Sequence, residues 1–428
     1  CGEVTAFLYS TPNLKVTSGR ARRDIAPNTA MRGPGAVPGL FAIESAMDEL
    51  ALALKIDPVE LRLRNEPAID ESLNLPFSSR HMKECLIEGA KRFGWSRRNP
   101  AIGSMRQGGL VLGWGVAACA WMAQRLDAEV SLLLNADGSV RVASGTQDIG
   151  TGTYTMLAQM VAYDLGVPIE RIQVVIGDSA LLPGPLSGGS MVTGSLVPAV
   201  AQASSDAVKQ LLETAAGHGA FAGTKADQLA FTEGRVHLRS SAPGEGVPFA
   251  QILSQARLSH IEGKGKSRNT FGDPEAKKFS MHSYGVHFVE VTWEPATARL
   301  RVARVVTAID AGRILNPMTG RNQIQGAIAM GVGMALFEDT RYEPLHGKAI
   351  NSNLADYIMT THADAPAIDV LFLDYPDTKL NALGARGIGE IGLAGVAPAI
   401  ANAVHHATGV RVRDLPVKIE DLLGSTVV

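Results

Sequence analysis

Three cysteines in 428 residues, Cys1, Cys85 and Cys119, form no C-x-x-C pair. That argues against a disulfide framework, a zinc ribbon or an iron–sulfur cluster held by this chain alone. No apolar run approaches the roughly 20 residues of a membrane helix. No signal peptide is visible. Charge of one sign is also missing. A formal net charge of −2 gives neither nucleic acid nor an anionic membrane an electrostatic handle. There is no repeat of fixed period and no low-complexity segment. The chain begins at Cys1, inside sequence that reads as ordered. We therefore expect the C-terminal part of a longer protein, or a processed subunit.

What is present is a large apolar fraction and much glycine. With 46% hydrophobic residues the chain can bury a sizeable core, and its length suits two or three domains. Glycine is 45 of 428 residues, against a usual share of roughly 7%. The excess fits tight turns and close backbone approaches to a ligand. A loop-rich fold without a ligand is the plainer alternative.

Residues 1–36 read as strand and turn, ending in NTAMRGPGAVPG. Pro38 opens a helix with Leu40, Ile43, Met47, Leu50 and Leu54 at helical spacing. Asp57 caps a second helix, with Pro58 in its first turn and Glu60 completing a capping box. Residues 66–80 look like a linker, 81–94 like a helix, and 97–110 like a polar connection. A hairpin follows, Glu129–Leu134 turning at Asp137-Gly138 into Val140–Ala143. It leads into the glycine loop GTQDIGTGTYT and a helix to about Leu165. Arg171–Ile176 is a short strand. A second loop, PGPLSGGSMVTGS, precedes a helix over 197–216. We expect a hairpin near 229–239, and a surface loop or lid from Lys264 to Lys278. A strong hairpin, Gly285–Glu294 and Arg299–Ile309, precedes a helix starting at Asn316-Pro317. Residues 351–373 read as a helix and a strand. The glycine-rich turn GARGIGEIG, Gly384 to Gly392, then enters a small-residue helix.

That turn carries one acid, Glu390. It matches G-x-G-x-x-G, with Asp414 beyond it, so a dinucleotide-binding βαβ unit is a competing reading. Three features count against it. Tyr375 to Ala385, with Pro376, separates the turn from the preceding strand. An acid inside the turn would face the pyrophosphate. Only 14 residues follow Asp414. Spacing alone leaves Glu390 with two roles. It is a general base, balanced between a helix N-terminus and burial, or a plain complement to the helix dipole. The two upstream loops, rich in Gly, Ser and Thr and each preceding a helix, suit a phosphate or pterin-like ligand through exposed N–H groups and hydroxyls. His405-His406 do not chelate together, because adjacent helical residues diverge; no protein metal site is expected. Trp121 and Met122 line a pocket or are simply core.

Four stretches, MRGPGAVPGLFAIESAMDELA, TQDIGTGTYT, NPMTGRNQIQGAIAMGVGMAL and GARGIGEIGLAGVAPAIANAV, resemble the molybdenum-binding subunit of the xanthine oxidase family. The likeness is greatest to bacterial aldehyde oxidoreductases. It runs over nearly the whole chain but only the later half of that subunit. It implies an α+β fold of mixed sheets and packed helices. Residues 1–68 would end a first molybdenum-cofactor-binding domain, 69–82 would link, and 83–428 would form the second.

The resemblance further implies molybdenum held by a molybdopterin cytosine dinucleotide, with no protein ligand. Glu390 matches the catalytic base, and the oxygen delivered comes from water. Electrons would leave through 2Fe-2S clusters and FAD on an iron–sulfur subunit and an FAD subunit. Arg32 matches an arginine packed beside the metal. Gln147, Gly150, Thr151 and Gly152 match one cofactor loop. Ser187, Gly188, Gly189 and Ser190 match the other, with Gly387 and Gly389 in the base's own turn. Gln323 matches a glutamine that hydrogen-bonds the pterin. Purine-oxidising members place an aromatic where this chain has Pro34. An aldehyde is thus the expected substrate, with Pro34, Trp121 and Met122 around it. The alternatives are an N-heteroaromatic or purine hydroxylase and a non-catalytic cofactor-binding fragment. The expected compartment is the cytoplasm, or the periplasm if a partner subunit carries the export signal.

Overall fold

The computed structural model describes residues 4–19, 21, 22, 25 and 29–423. The chain enters through a one-turn helix, α1 (Thr5–Leu8), where strand was expected; much of the rest of the first 36 residues is loop or lies outside the described residues. Helix α2 (Ala36–Leu54) starts two residues before Pro38. In α3 (Pro58–Arg64) the Asp57 carboxylate accepts from the Val59 and Glu60 N–H groups. The Glu60 side chain does not close the capping box. It pairs instead with Arg64, one turn on. The stretch expected as a linker is anchored: Arg80 pairs with Glu66, and Ser280 donates to Asp70 at 2.6 Å. Helix α4 (Met82–Phe93) follows.

Strands β1 (Arg106–Gln107) and β2 (Leu110–Met122) begin the larger sheet. A second sheet starts with the hairpin of β3 (Ala128–Asn135) and β4 (Val140–Ala143). Helix α5 (Thr153–Leu165) crosses to β5 (Ile172–Val175), parallel to β4. Helix α6 (Val192–Gly217) begins five residues earlier than expected, so the end of the second loop, Val192 to Ser195, is its first turn. A small sheet of β6 (Leu229–Thr232), β7 (Arg235–Leu238) and β8 (Val247–Pro248) leads to α7 (Phe249–Gln255). Residues expected to start a loop or lid at Lys264 instead lie in β9 (His260–Ser267), paired with β3 along its whole length.

The large hairpin, β10 (His282–Glu294) and β11 (Arg299–Asp310), adds β10 to β2 and carries β12 (Ala367–Leu373) in parallel. The large sheet is therefore ordered β1-β2-β10-β11-β12 and the second β5-β4-β3-β9. Helix α8 (Pro317–Leu336) is capped by Asn316, as its sequence predicts. No helix forms over 351–366, where one was expected; Asn353 caps a single turn there instead. Helices α9 (Val396–Thr408) and α10 (Ile419–Leu422) end the described chain. The architecture is α+β with mixed sheets. One core joins α1, α2, α4, α8 and α9 to the large sheet; another joins α5 and α6 to the second.

Both sheets take their covering helix in the same way. On β2, Gly113 and Gly115 face α9. A Cβ on them would lie 2.0 Å from the Ala403 carbonyl and 2.2 Å from that of Ala399. On β9, Gly263 and Gly265 face α6, where a Cβ would lie 2.2 Å from the Ala203 carbonyl and 1.9 Å from that of Ala199. Glycine on the strand and alanine on the helix bring the backbones into direct contact. This hides β9 from a pattern search, because Ile261 is the one large apolar residue on a buried face otherwise made of Gly263, Gly265 and Ser267. Overpacking typically costs about 1–3 kcal/mol. We expect Gly265→Ala to fall in or above that range, read as a lower urea midpoint with unchanged slope.

Candidate active site

The GARGIGEIG turn is fixed from below. Arg386 and Asp310 form an ion pair with both side chains fully buried. Arg386 also donates to the Ser79 carbonyl at 3.2 Å and to that of His282. Asp310, at the end of β11, accepts from the His81 N–H at 3.1 Å. The stem thereby ties α4, β10 and β11 to the turn.

Glu390 does not sit at a helix start. Helix α9 begins six residues on, at Val396, with Gly395 as its cap, so the expected dipole of that helix does not reach the carboxylate. Its neighbours are instead two other segments, Arg32-Gly33 and the loop at Ser190. The Gly33 N–H donates to Oε1 at 3.3 Å and the Ser190 hydroxyl to Oε2 at 3.4 Å. The Glu390 N–H donates back to Ser190 Oγ at 2.9 Å. Burial raises the Glu390 pKa above the ordinary carboxylate value, and the Gly33 and Ser190 hydrogen bonds and the Arg32 charge only partly oppose it. Arg32 is lowered by its own burial, against the Glu390 charge.

Arg32 closes the other side. Its Nε donates to the Gly389 carbonyl at 2.5 Å, and Nη2 to the Gln323 carbonyl and side-chain oxygen at 3.1 and 3.2 Å. Gln323 in turn donates to the Gly150 carbonyl at 3.3 Å. The first loop thus reaches Glu390 through two side chains. That loop is organised by Asp148, which the sequence reading passed over. Its carboxylate accepts from the N–H groups of Gly150 at 2.8 Å, Thr151 at 2.9 Å and Gly152 at 3.3 Å. These amides, expected to be exposed, are therefore taken. Gln147 accepts from Ser187 N–H at 3.0 Å and ties the two loops together. Free donors lie elsewhere: among the described residues, the N–H groups of Gly189, Ser190, Ile388 and Gly389 meet no protein acceptor.

A cavity of about 490 Å³ opens over this network. Its walls include Arg32, Thr151, Gly152, Ser187 to Ser190, Gln323, Gly387, Gly389 and Glu390; Gln147 and Gly150 lie behind them. Among the described residues, Glu390 is the one carboxylate in the wall. The first turns of α5, α6 and α8 also line it, so three helix N-termini converge there. Arg313, unpredicted, lines it too and pairs with no acid among the described residues. No group of three or more His, Cys, Asp or Glu is placed to hold a metal among the described residues. His406 is occupied structurally, accepting from the Trp114 N–H at 2.9 Å; burial lowers it and His405 to about 4. Pro34, Trp121 and Met122 line a second cavity, of about 270 Å³. Its wall is shared, because Trp121 Nε1 donates to the Gly189 carbonyl at 2.9 Å.

The donor-rich, acid-poor lining suits a large anionic cofactor that brings its own metal ligands. The comparisons agree. The molybdopterin cofactor-binding domain family matches residues 88–366, and a second family of the same description matches residues 2–66. The chain therefore belongs to the xanthine oxidase family, within its molybdopterin-binding large subunit. It is 37% identical to the aldehyde oxidoreductase molybdenum-binding subunit PaoC of Escherichia coli K12 over 422 residues, 97% of this chain and 55% of that protein. It is 32% identical to the xanthine dehydrogenase molybdenum-binding subunit of Escherichia coli O157:H7 over 429 residues, 97% and 56% of the two chains. The crystal structure of quinoline 2-oxidoreductase from Pseudomonas putida 86 matches with a TM-score of 0.79 at 23% identity, over 92% of this chain and 52% of that one, which speaks for the fold. The chain spans about half the length of the curated relatives it matches.

Removing one partner of a buried ion pair typically costs about 3–5 kcal/mol. Asp310→Asn leaves Arg386 with only Asp377, 3.9 Å away. The expected loss, measured by chemical denaturation, lies in that range.

Proposed function

We propose that this chain forms the active-site part of a molybdenum hydroxylase that oxidises aldehydes to carboxylic acids. The observation that carries the reading is Glu390. It is a half-buried carboxylate, alone of its kind in a donor-lined cavity, held by Gly33 and Ser190. The net reaction is aldehyde plus water to carboxylic acid, two protons and two electrons. Bound molybdopterin molybdenum, in its cytosine dinucleotide form, supplies the two-electron acceptor and activates the water oxygen. Electrons then pass to an iron–sulfur subunit and an FAD subunit.

The residues of this chain bind, orient and move protons. The N–H groups of Gly189, Ser190, Ile388 and Gly389 and the Gln323 amide hold the pterin. The uncapped start of α6, with Arg313, holds its phosphates. Glu390 takes one proton from the attacking oxygen. A carboxylate with a raised pKa is the stronger base once ionised. Ser190 and Gly33 aim it, and Arg32 holds the neighbouring Gly389 carbonyl. Support for an aldehyde comes from the likeness to the PaoC subunit and from Pro34 standing where purine-oxidising relatives carry an aromatic. The upstream part of the large subunit completes the pocket. Assembly in the cytoplasm is the compartment we propose.

Glu390→Gln is expected to keep molybdenum and pterin nucleotide by metal and cofactor analysis, while kcat falls by about 10²–10⁴-fold. Purified protein without molybdenum would overturn the proposal.

The pH dependence has a definite sign. Activity rises with pH on the acid side, through a midpoint above the ordinary glutamate value. Ser190→Ala removes a hydrogen bond to the charged form, so the midpoint moves further up. For stability, a raised folded-state pKa favours the protonated form. The contribution is full below the unfolded pKa and is lost as pH rises through the folded one. Glu390→Gln should therefore melt at or above the wild type at pH 8, and level with it at pH 4.

A further inference from the structure

The second cavity is mostly apolar, with Phe7, Trp121 and Met122 in its wall. Three polar side chains join them: Asp70, Ser72 and His282. Proton bookkeeping fixes what these three can offer. Asp70 is ionised; burial works to raise its pKa, but hydrogen bonds from Ser280, Ser72 and Leu73 outweigh that and hold it below the ordinary value. Its oxygens take the hydroxyl protons of Ser72 and Ser280, each at 2.6 Å, and the Leu73 N–H at 3.2 Å. Ser280 has then spent its only proton. Its contact with His282 Nδ1, at 3.2 Å, requires the imidazole to donate. Burial keeps that ring neutral, its pKa pushed down to about 3. The proton is on Nδ1, and Nε2 presents a lone pair with no protein donor among the described residues. Phe7 stacks on the ring, centroids 3.8 Å apart, and fixes its plane. Trp121 adds no donor, because its N–H is spent on Gly189.

Every polar side chain in this wall is thus an acceptor. The cavity adjoins the Glu390 site through Trp121 and Gly189, and through Gly33 and Pro34. We propose that the second cavity selects aldehydes with an apolar body and a hydrogen-bond-donating hydroxyl or amino group, which His282 Nε2 and Ser72 Oγ accept. An aldehyde carrying a carboxylate there is rejected by Asp70. This specificity rests on the aldehyde reading above.

The test uses the cofactor-loaded full-length enzyme with 4-hydroxybenzaldehyde, 4-methylbenzaldehyde and 4-carboxybenzaldehyde. One neutral hydrogen bond is worth about fivefold. The wild type is expected to favour the hydroxyl over the methyl compound by about that factor, through KM at similar kcat, and to use the carboxylate least. His282→Phe removes the preference, bringing the hydroxyl-to-methyl ratio of kcat/KM to about one. Ser72→Ala, a milder change, halves it at least. Binding of 4-cresol against 4-xylene, followed by tryptophan quenching, reads the same preference without turnover. Equal use of the hydroxyl and methyl aldehydes, or a preference that survives His282→Phe, overturns the specificity while the aldehyde reading stands. If the wild type oxidises none of the aldehydes, the aldehyde reading fails, and the cresol–xylene ratio still decides the wall chemistry.

Discussion

A single buried ion pair sets where the Glu390 turn can be. Arg386 and Asp310 are both fully enclosed, and each is useless without the other. An isolated guanidinium in that position would carry a desolvation penalty of several kcal/mol. The pair is tolerated because both Arg386 Nη groups are directed, while Nε faces Asp377 3.9 Å away. Arg386 takes carbonyls from the start of α4 and from β10, while Asp310 takes the His81 amide. Since Arg386 lies four residues before Glu390, the register of the glycine turn follows from this network. The glycines above it then have one task, which is to let other chains come close. A Cβ on Gly387 would lie 1.7 Å from the Ser190 carbonyl, so the second loop could not pack on the turn if that residue were anything larger.

The same economy operates on the scale of whole layers. Two sheets are each covered by one helix through Gly-x-Gly on the strand and Ala-x-x-x-Ala on the helix. Direct backbone packing leaves little room for adjustment, because neither side has a side chain that can rotate away. It makes the two frames rigid independently. The larger cavity lies where they meet: α5 and α6 come from one, and α8, the Glu390 turn and Arg32 from the other. Its geometry therefore depends on how the two frames dock, which the Gln323, Ser190 and Trp121 bonds hold in place.

These physical differences explain what was legible in the sequence. The hairpins and α8 were readable because each is locally determined: β10 and β11 alternate around a tight turn, and Asn316-Pro317 is a complete start signal. Strand β9 was not, since its buried face is mostly glycine and serine and its identity depends on a helix sixty residues away. The helix expected in 351–366 did not form, because local propensity there meets no core to pack against. At the site, Glu390 stood out as a lone acid among glycines. Asp148 did not, since a loop aspartate is ordinary until its four amide partners are seen. Arg313 and Asp310 carried no local mark at all; only the tertiary fold shows that one faces the cavity and the other is its foundation.

The proposed base also illustrates why placement and acidity are not separate choices. Burial lifts the Glu390 pKa, and the Gly33 amide, the Ser190 hydroxyl and the Arg32 charge pull it down. Those three groups are also the ones that locate the carboxylate and close the cavity around it. Strengthening any of them would fix the side chain better and weaken it as a base. Loosening them would raise its basicity and let it wander. The long contacts, 3.3 and 3.4 Å, fall on the loose side of that balance. They leave the lone pairs of Glu390 only partly committed. A carboxylate held this way keeps enough basicity to take a proton and enough restraint to take it from one direction.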